Sequence, residues 1–133
     1  ARKFGRFYPQ DDERARTTVE EWLMFQMGSF GPFLGQAHHF NLAAPEEIPY
    51  AIDRYRKIAE RLYGVLDRRL ADRDYVAGDY SIADIALFGW ATRFNRHRID
   101  IDAYPAVRRW FDVIGARPAV KRGLAVKPGA TGT

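Results

Sequence analysis

Apolar positions fall on helical periods along most of the chain. Asp11 and Asp12 suit a helix start. Beyond them Val19, Trp22, Leu23, Gln26 and Met27 step by three and four, with Arg14, Arg16, Glu20 and Glu21 on the other side, which predicts a helix to about Gly28. The next stretch, Gly28 to Asn41, sets three glycines and Pro32 among large apolar residues and predicts a kinked or broken helix. Pro45, followed by Glu46 and Glu47, is placed to open another helix. That helix, Glu46 to Ala71, has the strongest period: Ile48, Ile52, Tyr55, Ile58, Ala59, Leu62, Leu66 and Leu70 keep one face apolar. After the turn at Gly78, the run from Ser81 to Phe94 is apolar nearly all round, which predicts a central helix buried on every face. The polar stretch from Asn95 to Asp102 ends it. Pro105 opens a helix with Val107, Trp110, Phe111 and Ile114 inward, and Arg117–Pro118 closes it. A short helix over Val120 to Val126 and a frayed tail over Lys127 to Thr133 complete the reading. No period-two alternation stands out, so the expected fold is an all-α bundle of about five helices.

Composition narrows the function classes. A length of 133 residues predicts one domain, and 47% hydrophobic with 14% aromatic residues excludes disorder. No apolar run is long enough for a membrane-spanning helix. Cysteine is absent, which removes disulfides, thiolate metal sites and a cysteine nucleophile from this chain and fits a cytoplasmic location. The net charge is +4, and 17 of the 21 basic residues are Arg. Arg favours bidentate contact with carboxylates and phosphates. Acidic residues are interleaved with it almost everywhere, which speaks against a nucleic-acid face.

Four groups of residues are candidates for more than packing. Ser81 and Asp84 have capping-box spacing, with Asp84 returning to the Ser81 N–H; an acid–base pair is the alternative use. His38 and His39 are adjacent and point apart on a helix, with no third ligand at metal spacing, so no metal site is expected. They suit the polar lining of a cleft with Gln36 and Asn41. Trp22 fits the core, whereas Phe33, between Pro32 and Gly35, fits core and cleft equally. Arg54 lies on the polar side of the long helix, either solvated or reaching a carboxylate.

The segment Gly78–Ala86, GDYSIADIA, resembles the capping segment in the C-terminal helical domain of glutathione transferases. The stretches GPFLGQAHHFN and APEEIPYAIDRY, between Gly31 and Tyr55, resemble more narrowly the bacterial Nu class of disulfide-reducing glutathione transferases. The resemblance runs from about Phe7 to Val126. It implies a thioredoxin-like domain ahead of this one, with residues 1–9 as its end and linker, residues 10–126 as the helical domain and residues 127–133 as a flexible tail. That domain would hold most of the glutathione, the cosubstrate. Arg54 would bind glutathione held by the other subunit of a homodimer. The helical domain would line the cleft for a small electrophile or disulfide with Met27, Phe33, Gln36, His38 and His39. It would supply no catalytic residue, bind no metal, meet no nucleic acid or membrane, and be inactive alone. The alternative role is a non-catalytic interaction module in a protein assembly.

Overall fold

A computed structural model describes residues 1–126; the predicted tail lies outside the described residues. Six α-helices follow one another: α1 (Glu13–Phe25), α2 (Gly31–Leu42), α3 (Pro49–Leu70), α4 (Ile82–Ala91), α5 (Pro105–Ala116) and α6 (Pro118–Ala125). A π turn, Gln26–Phe30, joins α1 to α2, and 3-10 turns lie at Arg2–Phe4, Phe94–His97 and Ile101–Ala103. No strand occurs among the described residues, so the all-α expectation is met.

The helical path from Glu13 to Leu42 is bent at the π turn rather than broken. Asp12 starts it by accepting the Ala15 N–H at 2.9 Å. Pro32 has no N–H to give to the carbonyl four residues back, and its ring crowds that carbonyl. The π turn opens the ladder just before it, with the Gly31 N–H bonded to the Gln26 carbonyl.

The start of α3 corrects the sequence reading. Pro49, not Pro45, takes the first turn, and the first helical bond runs from Ile52 N–H to Ile48 carbonyl at 3.1 Å. A helix opened at Pro45 would carry Pro49 four residues inside, where it lacks the N–H and strikes a carbonyl. Glu46 therefore lies with Pro45 in a bend, and Glu47 in the loop that leads into α3.

Helices α3 and α5 cap one another. Pro105 leaves α5 without a cap of its own, and Asp67 of α3 accepts the N–H groups of Ala106 (2.9 Å) and Val107 (3.0 Å). In return Arg109 of α5 donates to the carbonyls of Leu70 (2.6 Å) and Arg73 (2.9 Å). These contacts satisfy groups that helix ends leave open.

The core is one cluster. Tyr63, Leu66 and Leu70 of α3, Leu87 of α4, and Val107, Trp110 and Ile114 of α5 are buried in it together with Phe30 and Leu34. Helix α4 is central but not covered on every side. Ile85 is 46% exposed and Gly89 is exposed as well, so one strip of this apolar helix faces solvent. Its start is secured by the expected capping box. Asp84 accepts from Ser81 N–H (3.0 Å), Val76 N–H (3.0 Å), Ser81 Oγ (3.2 Å) and the Trp110 indole (2.9 Å). It is a structural hub that ties α4, α5 and the loop before α4.

Candidate functional site

Two neighbourhoods collect the chemistry. The first is the solvent face of α3. Asp53 pairs with Arg56 at 3.0 Å and with Lys57 at 2.6 Å, and Arg56 also pairs with Glu60. Lys57 foremost, then Arg56, hold the Asp53 carboxyl below its usual range. Arg54 stands among these residues, exposed, with no ion-pair or hydrogen-bond partner among the described residues. Its spacing explains this. The residues three and four positions away, Lys57, Ile58, Ala51 and Tyr50, include no acid. The guanidinium is free to take a carboxylate from outside.

The second is a cavity of about 350 Å³ at the bend between α1 and α2, lined by Gln26, Met27, Gly31, Pro32, Gly35, Gln36 and Trp90. The sequence-predicted Met27 and Gln36 both line it, and Met27 is 63% exposed. The other three cleft candidates point elsewhere. Phe33 is partly buried and packs against the core cluster. His39 is exposed, with its ring edge-on to Phe40 at 5.0 Å. His38 is half-buried and turns toward His97, the ring centres 6.4 Å apart.

His97 had no role in the sequence reading, yet it is fully buried. Neither of its ring nitrogens has a partner, and His38 Nδ1 lacks one too. Burial, then the charges of His38 and Arg93, pushes the His97 pKa down to about 4, so its ring is neutral near pH 7. The His97 ring also lies 6.3 Å from that of Trp90, which lines the cavity, while His97 does not. Among the described residues no group of three or more His, Cys, Asp or Glu side chains is placed to hold a metal ion.

Gln26, Gly31, Gly35 and Trp90 are the cavity residues that the sequence did not single out. Gly28, Gly31 and Gly35 do share one helical face, a signal of close approach. What approaches, Trp90, comes from more than fifty residues away and leaves no trace in a local pattern.

This architecture, six helices with a capping box opening the central one, is that of a glutathione transferase helical domain. The family model described as "Glutathione S-transferase, C-terminal domain" matches residues 49–113. The disulfide-bond oxidoreductase YfcG of Escherichia coli is 47% identical over 125 residues, 93% of this chain and 58% of that protein. The disulfide-bond oxidoreductase YghU of the same organism is 43% identical, over 95% of this chain and 46% of its own length. Among solved structures, a glutathione transferase from Burkholderia graminis with two glutathione molecules bound per subunit superposes with a TM-score of 0.86. It is 40% identical and covers 97% of this chain and 57% of its own. The chain belongs to the glutathione S-transferase family by its C-terminal helical domain. Its relatives set it with the bacterial Nu class, and it spans about half the length of the curated relatives it matches.

Proposed function

We propose that this chain is the helical half of a glutathione-dependent enzyme that reduces disulfides or conjugates small electrophiles. The observation that carries the reading is Arg54, a solvent-facing guanidinium left unpaired within a row where Arg56 and Lys57 are both paired. Glutathione has two carboxylates, and a planar guanidinium matches such a group bidentately. Arg54 would take one of them from glutathione held by the second subunit of a homodimer. The thiol chemistry belongs to glutathione, since this chain has no cysteine. A glutathione thiolate attacks one sulfur of the disulfide and releases the other as a thiol after protonation. A second glutathione then attacks the mixed disulfide, so that one disulfide and two glutathiones give two thiols and glutathione disulfide.

The names of the relatives support this reading: YfcG and YghU are disulfide-bond oxidoreductases. A structural neighbour from Lodderomyces elongisporus, TM-score 0.89, carries two glutathiones per subunit. In the proposed arrangement residues 1–9 link to a thioredoxin-like domain that orients and activates the thiol. The face of Met27 and Gln36 supports the second substrate, while Phe33, His38 and His39, which turn away from it, are left out of it, and the enzyme works in the cytoplasm.

The test is glutathione-dependent reduction of bis(2-hydroxyethyl) disulfide, followed by coupled oxidation of NADPH through glutathione reductase. The protein carrying both domains should turn over, and the 133-residue chain alone should not, because orientation and thiolate stabilisation are then missing. Equal rates for the two, or no turnover by the longer protein with disulfides and electrophiles alike, would overturn the reading.

A further inference from the structure

Among the described residues, the least satisfied contact is the one between the end of α2 and the turn Phe94–His97. Three side chains there hold buried polar atoms with no hydrogen-bond partner: His38 at Nδ1, Asn41 at Oδ1 and His97 at both ring nitrogens. His97 is 0% exposed, so solvent does not serve its ring. Asn41 ties α2 to this turn by donating its Nδ2–H to the Arg96 carbonyl at 3.1 Å. His38 stands three residues before Asn41, on the same face of α2, and its ring centre is 6.4 Å from that of His97. Buried polar groups left open in this way are costly unless a further group completes them.

Spacing and charge decide which group fits. A direct N–H···N bond of about 2.9 Å would draw the two ring centres to roughly 5 Å. A metal ion about 2 Å from one nitrogen of each ring, with the rings on opposite sides of it, sets the centres roughly 6 Å apart. The observed 6.4 Å matches the second arrangement. The charged groups that act on His97 are His38 and Arg93, with no carboxylate among them, so a divalent ion would keep most of its charge uncompensated. Tetrahedral zinc also asks for four donors. A monovalent d10 ion asks for fewer: Cu(I) is satisfied by two imidazoles in a line, and imidazole is among the ligands that suit copper. We propose that His38 and His97 hold one Cu(I) ion between them, each through a ring nitrogen. Burial keeps His97 neutral near pH 7, and a neutral ring has the lone pair a metal needs. The Trp90 ring, centred 6.3 Å from that of His97, adds an aromatic wall, a surface that attracts a buried cation. His38 is only half-buried, which gives the ion its way in. The proposal uses neither Arg54 nor glutathione.

Silver(I) has the same charge and the same preference for two donors in a line, and it resists oxidation, so it serves as the first probe. Met24 and Met27, exposed thioethers three residues apart, also attract soft ions. The titration therefore adds silver nitrate to the isotopically labelled chain carrying Met24→Leu and Met27→Leu, near pH 7 and without chloride or glutathione. One equivalent should shift the ring nitrogens of His38 and His97 and leave those of the exposed His39 in place. His38→Phe should weaken binding by at least the roughly tenfold to hundredfold that loss of a supporting partner costs at a metal site, and His39→Phe should change nothing. Cu(I), added anaerobically, should shift the same nitrogens, and Zn(II) should not. A dispersed amide spectrum checks that each variant is folded, and the shifts of the intact histidine pair test the proposal by themselves should a variant fail to fold. Shifts confined to His39 would overturn the proposal. So would binding that survives His38→Phe, Zn(II) held as tightly as Cu(I), or no shift with silver in excess.

Discussion

Two buried side chains make the sharpest demands on their surroundings. Asp84 is fully buried and accepts four hydrogen bonds, two from backbone N–H groups, one from Ser81 Oγ and one from Trp110. Burial pushes its carboxyl above the usual range while those donors pull it down. Asp84→Ala strands all the donors at once, so unfolding in urea should show a loss of about 3–5 kcal/mol. Asp84→Asn should recover only part, since its NH2 sets a donor against donors. An unchanged midpoint in Asp84→Ala would contradict the hub. His97 makes the opposite demand, for neutrality. Its folded pKa of about 4 lies below the unfolded value near 6.5, so the unfolded chain binds the extra proton between them. The stability His97 contributes is present above pH 6.5 and lost as pH falls toward 4, by up to about 3 kcal/mol. Thermal midpoints across that range should fall for the unaltered chain and fall less for His97→Phe.

At the scale of elements, the bend between α1 and α2 organises both the packing and the cavity. Gly31→Ala should cost about 1–3 kcal/mol, because its Cβ would press on Gln26 and Trp90 together. Gly64→Ala, in the middle of α3, meets the end of the Arg68 side chain at 3.6 Å and the Tyr104 ring at 4.0 Å, both ordinary contacts, and should gain about 0.5–1 kcal/mol. Chemical denaturation of the two variants should thus move in opposite directions, and a matched shift would show that the close approach at Gly31 is not selective. Helices α3 and α5 were readable from sequence because the apolar period that makes each of them is local. The Pro45 start was misread because two prolines four residues apart both suit a first turn, and only the later one leaves the helix interior free of proline. Of the two readings that the glycines and Pro32 allow, a kinked or a broken helix, the kinked one holds, and the π turn is the form it takes. The open strip at Ile85 and Gly89 was missed because an all-apolar helix reads as buried whichever neighbours it has. His97 and His38 meet across 59 positions, and Trp90 meets Gly31 and Gly35 only in three dimensions, so neither pairing has a sequence period to reveal it.

For the whole molecule, the fold places two surfaces with different chemistry on one helical body. The α3 face offers an unpaired guanidinium, and the α1–α2 bend offers a largely apolar cavity into which Gln26, Gln36 and Trp90 bring hydrogen-bonding groups. Arg54 is a candidate from its place on the polar side of α3, the resemblance to the Nu class implies glutathione as its partner, and the geometry adds why it is available: its ladder neighbours pair with the nearby acids. Arg54 is exposed, so its removal should leave stability almost unchanged while binding suffers. The direct test titrates glutathione by calorimetry into the protein that carries both domains, as unaltered protein, Arg54→Ala and Arg54→Lys. A charge-assisted bidentate contact is worth about 1.5–3 kcal/mol, so Arg54→Ala should raise the Kd roughly tenfold to a hundredfold. Arg54→Lys should recover part of the loss, having the charge without the planar fork. The same Kd in all three proteins would contradict the account and leave Arg54 a solvated surface residue.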